Sequence, residues 1–153
     1  MIKKLGILLA VVACGFIFNT SEVKASTEII VNKTTQQLVC WDNETAQIYL
    51  FCPCSTAIDP NGTPVGTFKA TDIYTNWHSL YYNQWTYGAI RLGKSHILIH
   101  STPYLSPDFN TLDLVELQKL GIPASHGCIR VAPENIVLLT QLVQKGALIT
   151  VVQ

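Results

Sequence analysis

Short runs of β-branched and aromatic residues, cut at close intervals by turn chemistry, constrain this chain most. Residues 28–32, 36–41 and 46–52 carry alternating or continuous Ile, Val, Leu, Tyr and Trp, and Asp42, Asn43 and Glu44 separate the last two runs. Such side chains fit a pleated, half-buried surface, and the polar cluster supplies a reversal, so the pair reads as a β-hairpin. Asp59 to Gly66 is dense in Pro and Gly and reads as a loop. Thr67 to Ile73 resumes the strand pattern. Residues 74–87 hold Tyr74, Trp77, Tyr81, Tyr82, Trp85 and Tyr87. Cross-strand packing on a further hairpin explains them, and stacking on sugar rings is the alternative. Gly93-Lys94 marks a turn and His96 to His100 a buried strand.

Two segments have helical spacing instead. Leu112 to Leu120 places apolar residues at 112, 114, 115, 117 and 120, with Gly121 following as a C-cap. Pro133 and Glu134 open the second, the proline where no N–H is needed and the acid near the positive end of the helix. Ile136, Leu139, Leu142 and Val143 give it an apolar face, and Lys145 and Gly146 end it. Leu148 to Val152 is a closing strand. The fold class expected is mainly β with two short helices, arranged as a small sandwich or barrel-like sheet. The 153 residues suit one domain, and 48% apolar against 13% charged residues is enough for a real core. A net charge of zero without any basic cluster argues against nucleic acid as a partner.

The first 25 residues read as an export signal. Lys3 and Lys4 precede an uncharged apolar run from Leu5 to Phe18, and Val23-Lys24-Ala25 offers a small-residue cleavage pattern. The run is short for a membrane span, which needs about 20 residues. Cleavage after Ala25 removes three lysines and one glutamate, so the net charge falls from 0 to −2. Val11-Val12-Ala13-Cys14 resembles a bacterial lipoprotein box, with Cys14 the lipidated residue, but Gly15 to Phe18 continues the apolar run where a polar tether is expected. An uncleaved anchor is the third possibility. Each places the domain from residue 28 to 153 in the cell envelope, outside the cytoplasmic membrane.

Cys40, Cys52, Cys54 and Cys128 remain in that domain. Outside the cell such residues often pair. Cys52 and Cys54 are too close along an extended strand to bond without strain, and a hairpin turning at Asn43 sets Cys40 opposite residue 46, so no disulfide follows from the spacing. Cys128 stands in Ser125-His126-Gly127-Cys128-Ile129-Arg130. A free thiol titrates near 8.5, so only a few per cent is thiolate at neutral pH, and an imidazole that takes its proton makes it a nucleophile. His126 and His100 are both candidates, the first sharing a face with Cys128 if the segment is extended. Gly127 leaves room for an approaching carbonyl, and the amides of Gly127 and Cys128 are placed to stabilise an oxyanion. Arg130 is suited to a substrate carboxylate. His78 reads as a surface residue, and Arg91 as a surface strand position with substrate contact as the alternative.

The Ser-His-Gly-Cys-Ile-Arg run resembles the signature of the L,D-transpeptidase catalytic domain. His100-Ser101 matches that family's other motif histidine, and Asn61-Gly62-Thr63-Pro64-Val65-Gly66-Thr67-Phe68 resembles its Thr-Pro-x-Gly-x-Phe segment. The likeness runs from about residue 28 to 153. It implies an exported enzyme acting on peptidoglycan stem tetrapeptides, with Cys128 as nucleophile and His100 as proton acceptor and donor, oriented by a carbonyl such as that of Ser101. It further implies His126, Gly127 and Cys128 on the oxyanion side, and Ser101, Ser125 and Arg130 at the substrate. The expected products are D-alanine and a 3→3 cross-link, or a trimmed stem if water is the acceptor. No metal or cofactor is implied, and carbapenems are expected inhibitors. Two features depart from the family's pattern. The 24 residues between His100 and Ser125 exceed its common spacer, so the helix at 112–120 is expected to form a lid or a wall of the groove. Cys52-Pro53-Cys54 replaces a plain apolar-Ser-Thr-Gly stretch. Two rival readings use the same residues: a zinc site from His96, His100, His126 and Cys128, and a non-catalytic wall-binding module built on the aromatics of 74–87.

Overall fold

In the computed structural model, which describes residues 26–153, the chain runs β1 (Thr27–Asn32), β2 (Gln37–Asp42), β3 (Ile48–Pro53), β4 (Gly66–Leu80), β5 (Gln84–Leu92), β6 (Leu98–Ser101), α1 (Leu114–Leu117), β7 (Ile129–Val131), α2 (Pro133–Leu142) and β8 (Leu148–Val152). The export signal, its cleavage site and the Cys14 lipidation site lie outside the described residues. The eight strands form one sheet in the order β3-β2-β1-β8-β4-β5-β6-β7. β4 joins its halves: Gly66 to Lys69 pair with β8, and the rest of the strand with β5. The mainly β class with two helices therefore takes the form of a single mixed sheet.

Alternation builds the core. Ile29 and Val31 on β1, Leu38 and Cys40 on β2, and Ile149 and Val151 on β8 are all buried, and their odd or even spacing sets them on one side of their strands. α2 covers the other end, with Ile136 and Leu139 fully buried in the same cluster as Ile90, Ile99 and Ile129. Each such side chain contributes about 1.5–3 kcal/mol of transfer free energy.

Two pairings are parallel, β1 with β8 and β6 with β7. Parallel neighbours need a crossover of a dozen or more residues. The long spacer between His100 and Ser125 is that crossover. Its helix is shorter than the apolar spacing predicts: α1 is one turn, and Leu114 and Val115 are exposed. Here the periodicity marks no core face. Asp113 caps the turn by accepting from Val115 and Glu116 N–H, and the next turn ends at Gly121 with φ +98°.

The first hairpin also differs from its expected register. Its loop runs from residue 43 to 47, closed by the Asp42 N–H donated to Gln47 O and by the Asp42 carboxylate accepting from Glu44 and Thr45 N–H. Cys40 accordingly faces Leu50 rather than residue 46. Cys40, Cys52 and Cys54 are free and buried. Burial pushes their thiols up to about 12, 11 and 12 respectively, so they pack as uncharged apolar groups. The strand expected over His96–His100 starts two residues later, at Leu98. The second helix begins at Pro133 and the last strand spans Leu148–Val152, as the sequence indicates.

Ile149 is fully buried on β8, which lies between β1 and β4 in the sheet. Ile149→Ala is expected to cost about 2–5 kcal/mol, read as a lower urea midpoint at unchanged m.

Candidate active site

The parallel register of β6 and β7 places Ile99 beside Ile129, His100 beside Arg130 and Ser101 beside Val131. Partners across a ladder project from the same face, and so do residues two apart along a strand. His100 and Arg130 therefore share one face, and Cys128, on the bend just before β7, lines the same cavity. β5 sets Ala89 across from His100 and Arg91 across from Leu98, which brings Arg91 to that face as well. They open onto a cavity of about 590 Å³ that His126 and His78 also line.

Cys128 is carried by a tight turn that begins at Ser125. Ser125 Oγ donates to Cys128 O at 2.5 Å and accepts the Gly127 N–H at 3.1 Å. Thr63, from the Pro/Gly-rich loop, donates its hydroxyl to Gly127 O at 2.7 Å and accepts the Ala57 N–H at 2.9 Å. Space at 127 is tight. A Cβ there would lie 2.9 Å from Ile97 Cδ1 and 3.3 Å from Gly62 O. Of the two amides expected to serve an oxyanion, that of Gly127 is taken up by Ser125. The Cys128 N–H has no hydrogen-bond partner among the described residues.

The thiol itself is partly buried. Its Sγ accepts the Leu98 N–H at 3.4 Å and lies 3.9 Å from His96 O. Burial pushes the Cys128 thiol up, while the Leu98 N–H and the charges of Arg130 and Arg91 pull in the other direction without cancelling it. His100 is 4% exposed, with Nδ1 2.5 Å from the Ser101 carbonyl oxygen. A carbonyl only accepts, so Nδ1 carries the hydrogen and Nε2 is left with a lone pair. Burial holds His100 down to about 4; the Ser101 carbonyl opposes this shift, and Arg130 and His78 add to it. At neutral pH the resting pair is therefore a thiol and a neutral imidazole, with proton transfer left for the moment of attack.

Other expected site residues fall in different places. Ser101 is fully buried; its hydroxyl contacts Thr86 Oγ1 at 2.8 Å and donates to Thr102 O at 2.7 Å. Its carbonyl positions His100, but the side chain does not reach substrate space. Ser125 lines the cavity, yet its hydroxyl is spent inside the turn. His126 lies on a bend rather than an extended segment, so it does not share a strand face with Cys128; its exposed ring packs 5.2 Å from that of Tyr82. Arg130 is 7% exposed, and its Nη1 pairs with the Glu116 carboxylate and donates to Ala124 O. Glu116 sits on α1, so the crossover buttresses Arg130 from behind.

His78 and Arg91 both line the cavity, against the surface positions expected for them. His78 stacks on Tyr74 at 4.0 Å and 24°. Burial, then the charge of Arg91, lowers its pKa. Bulges between Ala70 and Ile73 and between Tyr74 and Trp77 shift the β4–β5 register, so alternation along β4 does not reveal which side chains meet the cavity. Among the described residues no group of three His, Cys, Asp or Glu side chains is arranged to hold a metal ion.

A thiol, a neutral imidazole with a free lone pair and an uncommitted amide on one cavity wall can carry out acyl transfer. A family model for the YkuD L,D-transpeptidase catalytic domain matches residues 26–152. The chain belongs to that family. Among solved structures it is similar to an L,D-transpeptidase from Mycobacterium smegmatis, with 18% identity and TM-score 0.68, covering 84% of this chain and 59% of that one. It is also similar to the L,D-transpeptidase LdtMt1 in complex with imipenem (19% identity, TM-score 0.66, 83% and 59% covered). A third is L,D-transpeptidase 3 from Mycobacterium tuberculosis with a faropenem-derived adduct (14% identity, TM-score 0.64, 84% and 60% covered). These likenesses establish the fold, and the chain spans about three-fifths of the length of each. No curated protein matches the chain.

The buried imidazole gives a pH test. With His100 near 4 in the fold and about 6.5 when unfolded, the unfolded chain takes the proton first on acidification. Its contribution is complete above pH 6.5 and is lost as pH falls toward 4, by about 3 kcal/mol in total. His100→Gln is expected to flatten the stability–pH slope in that window, measured by urea unfolding at pH 7 and pH 4.5.

Proposed function

We propose that this domain is a cysteine-dependent L,D-transpeptidase of peptidoglycan. The observation that carries the reading is that Cys128 and His100 line one cavity, with Nδ1 of His100 tied to the Ser101 carbonyl and Nε2 left to accept a proton. Cys128 Sγ attacks the carbonyl between the third residue of a stem tetrapeptide and its terminal D-alanine, as His100 Nε2 takes the thiol proton. The Cys128 N–H supports the oxyanion. Collapse breaks the C–N bond, His100 returns the proton to the departing amine, and D-alanine leaves a thioester on Cys128. A side-chain amine of a neighbouring stem then attacks the thioester. This releases the thiol and forms a 3→3 cross-link. The substrate lies outside the cytoplasmic membrane, in keeping with the basic and apolar start of the sequence. The imipenem complex and the faropenem-derived adduct of the structural neighbours support a carbapenem-reactive thiol here.

Incubation with a soluble stem tetrapeptide is expected to release D-alanine and to add the acyl tripeptide mass to Cys128 by intact-protein mass spectrometry. Addition of an acceptor amine should then yield a cross-linked product. Hydrolysed tripeptide alone would assign a carboxypeptidase, and full turnover by Cys128→Ala would overturn the thiol mechanism and leave a wall-binding role.

A further inference from the structure

A second recess lies apart from the reaction cavity and shares no lining residue with it. Trp77 and His78 are consecutive on β4, so they point to opposite sides of the strand. His78 stands in the reaction cavity, and Trp77 stands on the other side against Tyr87, Tyr104 and Phe109. Tyr87, Tyr104, Phe109, Glu134 and Val137 help to line a recess of about 260 Å³ there. Phe109 comes from the long crossover between β6 and β7, and Glu134 from the first turn of α2.

The rings interlock and form no platform. Phe109 meets Tyr87 at 4.9 Å and 61°, and Tyr104 at 6.3 Å and 84°. A sugar ring stacks on one flat exposed face, whereas steeply angled rings around a recess suit a compact cation, which is drawn to their negative faces. Two polar groups at the recess lack partners. The Glu134 carboxylate is exposed and pairs with no Lys, Arg or His among the described residues. Tyr104 is 3% exposed, yet its hydroxyl makes no hydrogen bond among the described residues. Burial, then the charge of Glu134, pushes the Tyr104 phenol up, in keeping with two groups that lie close together. A neutral apolar group placed over that carboxylate would strip its water and give nothing back; a cation replaces the lost interaction.

We infer that this recess is a second binding site, for a primary alkylammonium group, and that free side-chain amines of peptidoglycan stems occupy it. The choice of occupant rests on the peptidoglycan reading above; the ligand chemistry does not. The rings of Phe109 and Tyr87 take the methylenes, Glu134 pairs with the charge, and the Tyr104 hydroxyl oxygen accepts one of the ammonium N–H groups. The recess shares no residue with the thiol's cavity, so a stem held there does not enter the reaction. It retains the enzyme on the wall beside the stems being processed.

The test compares n-butylammonium with n-butanol, an uncharged molecule of the same shape, through the NMR signals of the Val137 methyls and the Trp77 indole in the full chain. The amine is expected to bind about tenfold more tightly than the alcohol. Glu134→Gln should bring that ratio to within about twofold, and Phe109→Leu should weaken the amine severalfold while leaving the alcohol nearly unchanged. Both variants should release D-alanine from a soluble tetrapeptide at an unchanged rate. On insoluble peptidoglycan, acetylation of the free amines should lower retention of the wild-type chain severalfold, and Glu134→Gln should hold to native wall no better than the wild type holds to acetylated wall. A wild-type ratio near one, a ratio unchanged in Glu134→Gln, or signals that move with a disaccharide but not with the amine overturns the site. Amine binding with retention indifferent to acetylation overturns stems as the occupant. If either variant does not fold, the wild-type ratio and the acetylation result decide. Failure to release D-alanine while the amine still binds would instead strike the acyl-transfer reading and leave the site standing.

Discussion

The parallel ladder between β6 and β7 is the constraint on which the rest of this structure depends. One register sets His100 beside Arg130 and carries Cys128, just before β7, to the Leu98 N–H and the cavity. A slip of one residue would turn Cys128 and Arg130 away from His100, because side chains alternate with period two. Three features hold that register. The buried Ile99 and Ile129 sit side by side between the site residues. Ser55 and Arg130 exchange backbone hydrogen bonds at 2.9 Å in both directions, which pins β7 from its outer edge. α2 follows β7 directly and packs Ile136 and Leu139 into the cluster below.

Parallel pairing has a topological consequence, and the site uses it. The chain must leave β6 and return to run beside it in the same direction, so a long excursion separates the two motif histidines. That excursion docks on the segment after β3. Ser55 Oγ donates to Lys119 O, the Gly121 N–H to Cys54 O, and the Ala124 N–H to Thr56 O. It also brings Glu116 to Arg130. Lys119 holds the same carboxylate at 2.5 Å, and both cations keep the Glu116 carboxyl below its usual range. The Cys52-Pro53-Cys54 stretch therefore has a structural role: buried thiols on one side, and a backbone that receives the crossover on the other.

Much of this was legible in the sequence. Local chemistry marked the first hairpin, the Pro/Gly loop, the helix opened by Pro133 and the last strand, because each is decided by neighbours in sequence. The Ser-His-Gly-Cys run and His100 pointed to residues that the fold brings to one cavity. What stayed hidden depended on distant contacts. The apolar residues of 112–120 suggested a packed helix, but hydrogen bonds to Cys54 and Thr56, not burial of Leu114 and Val115, fix that segment. Ser101 looked like a substrate contact, whereas Thr86 on β5 claims its hydroxyl. His78 looked like a surface residue because bulges in β4 decide which of its side chains reach the cavity, and Arg91, on β5, reaches it through pairing with β6.

The electrostatics of the site follow from the same geometry. Burial alone would leave both reactive groups neutral, raising the thiol and lowering the imidazole. Arg130 acts on the two in opposite senses, favouring a thiolate at Cys128 and a neutral ring at His100. Placing Glu116 and Asp72 behind the guanidiniums keeps each arginine fixed while leaving its open side to the cavity.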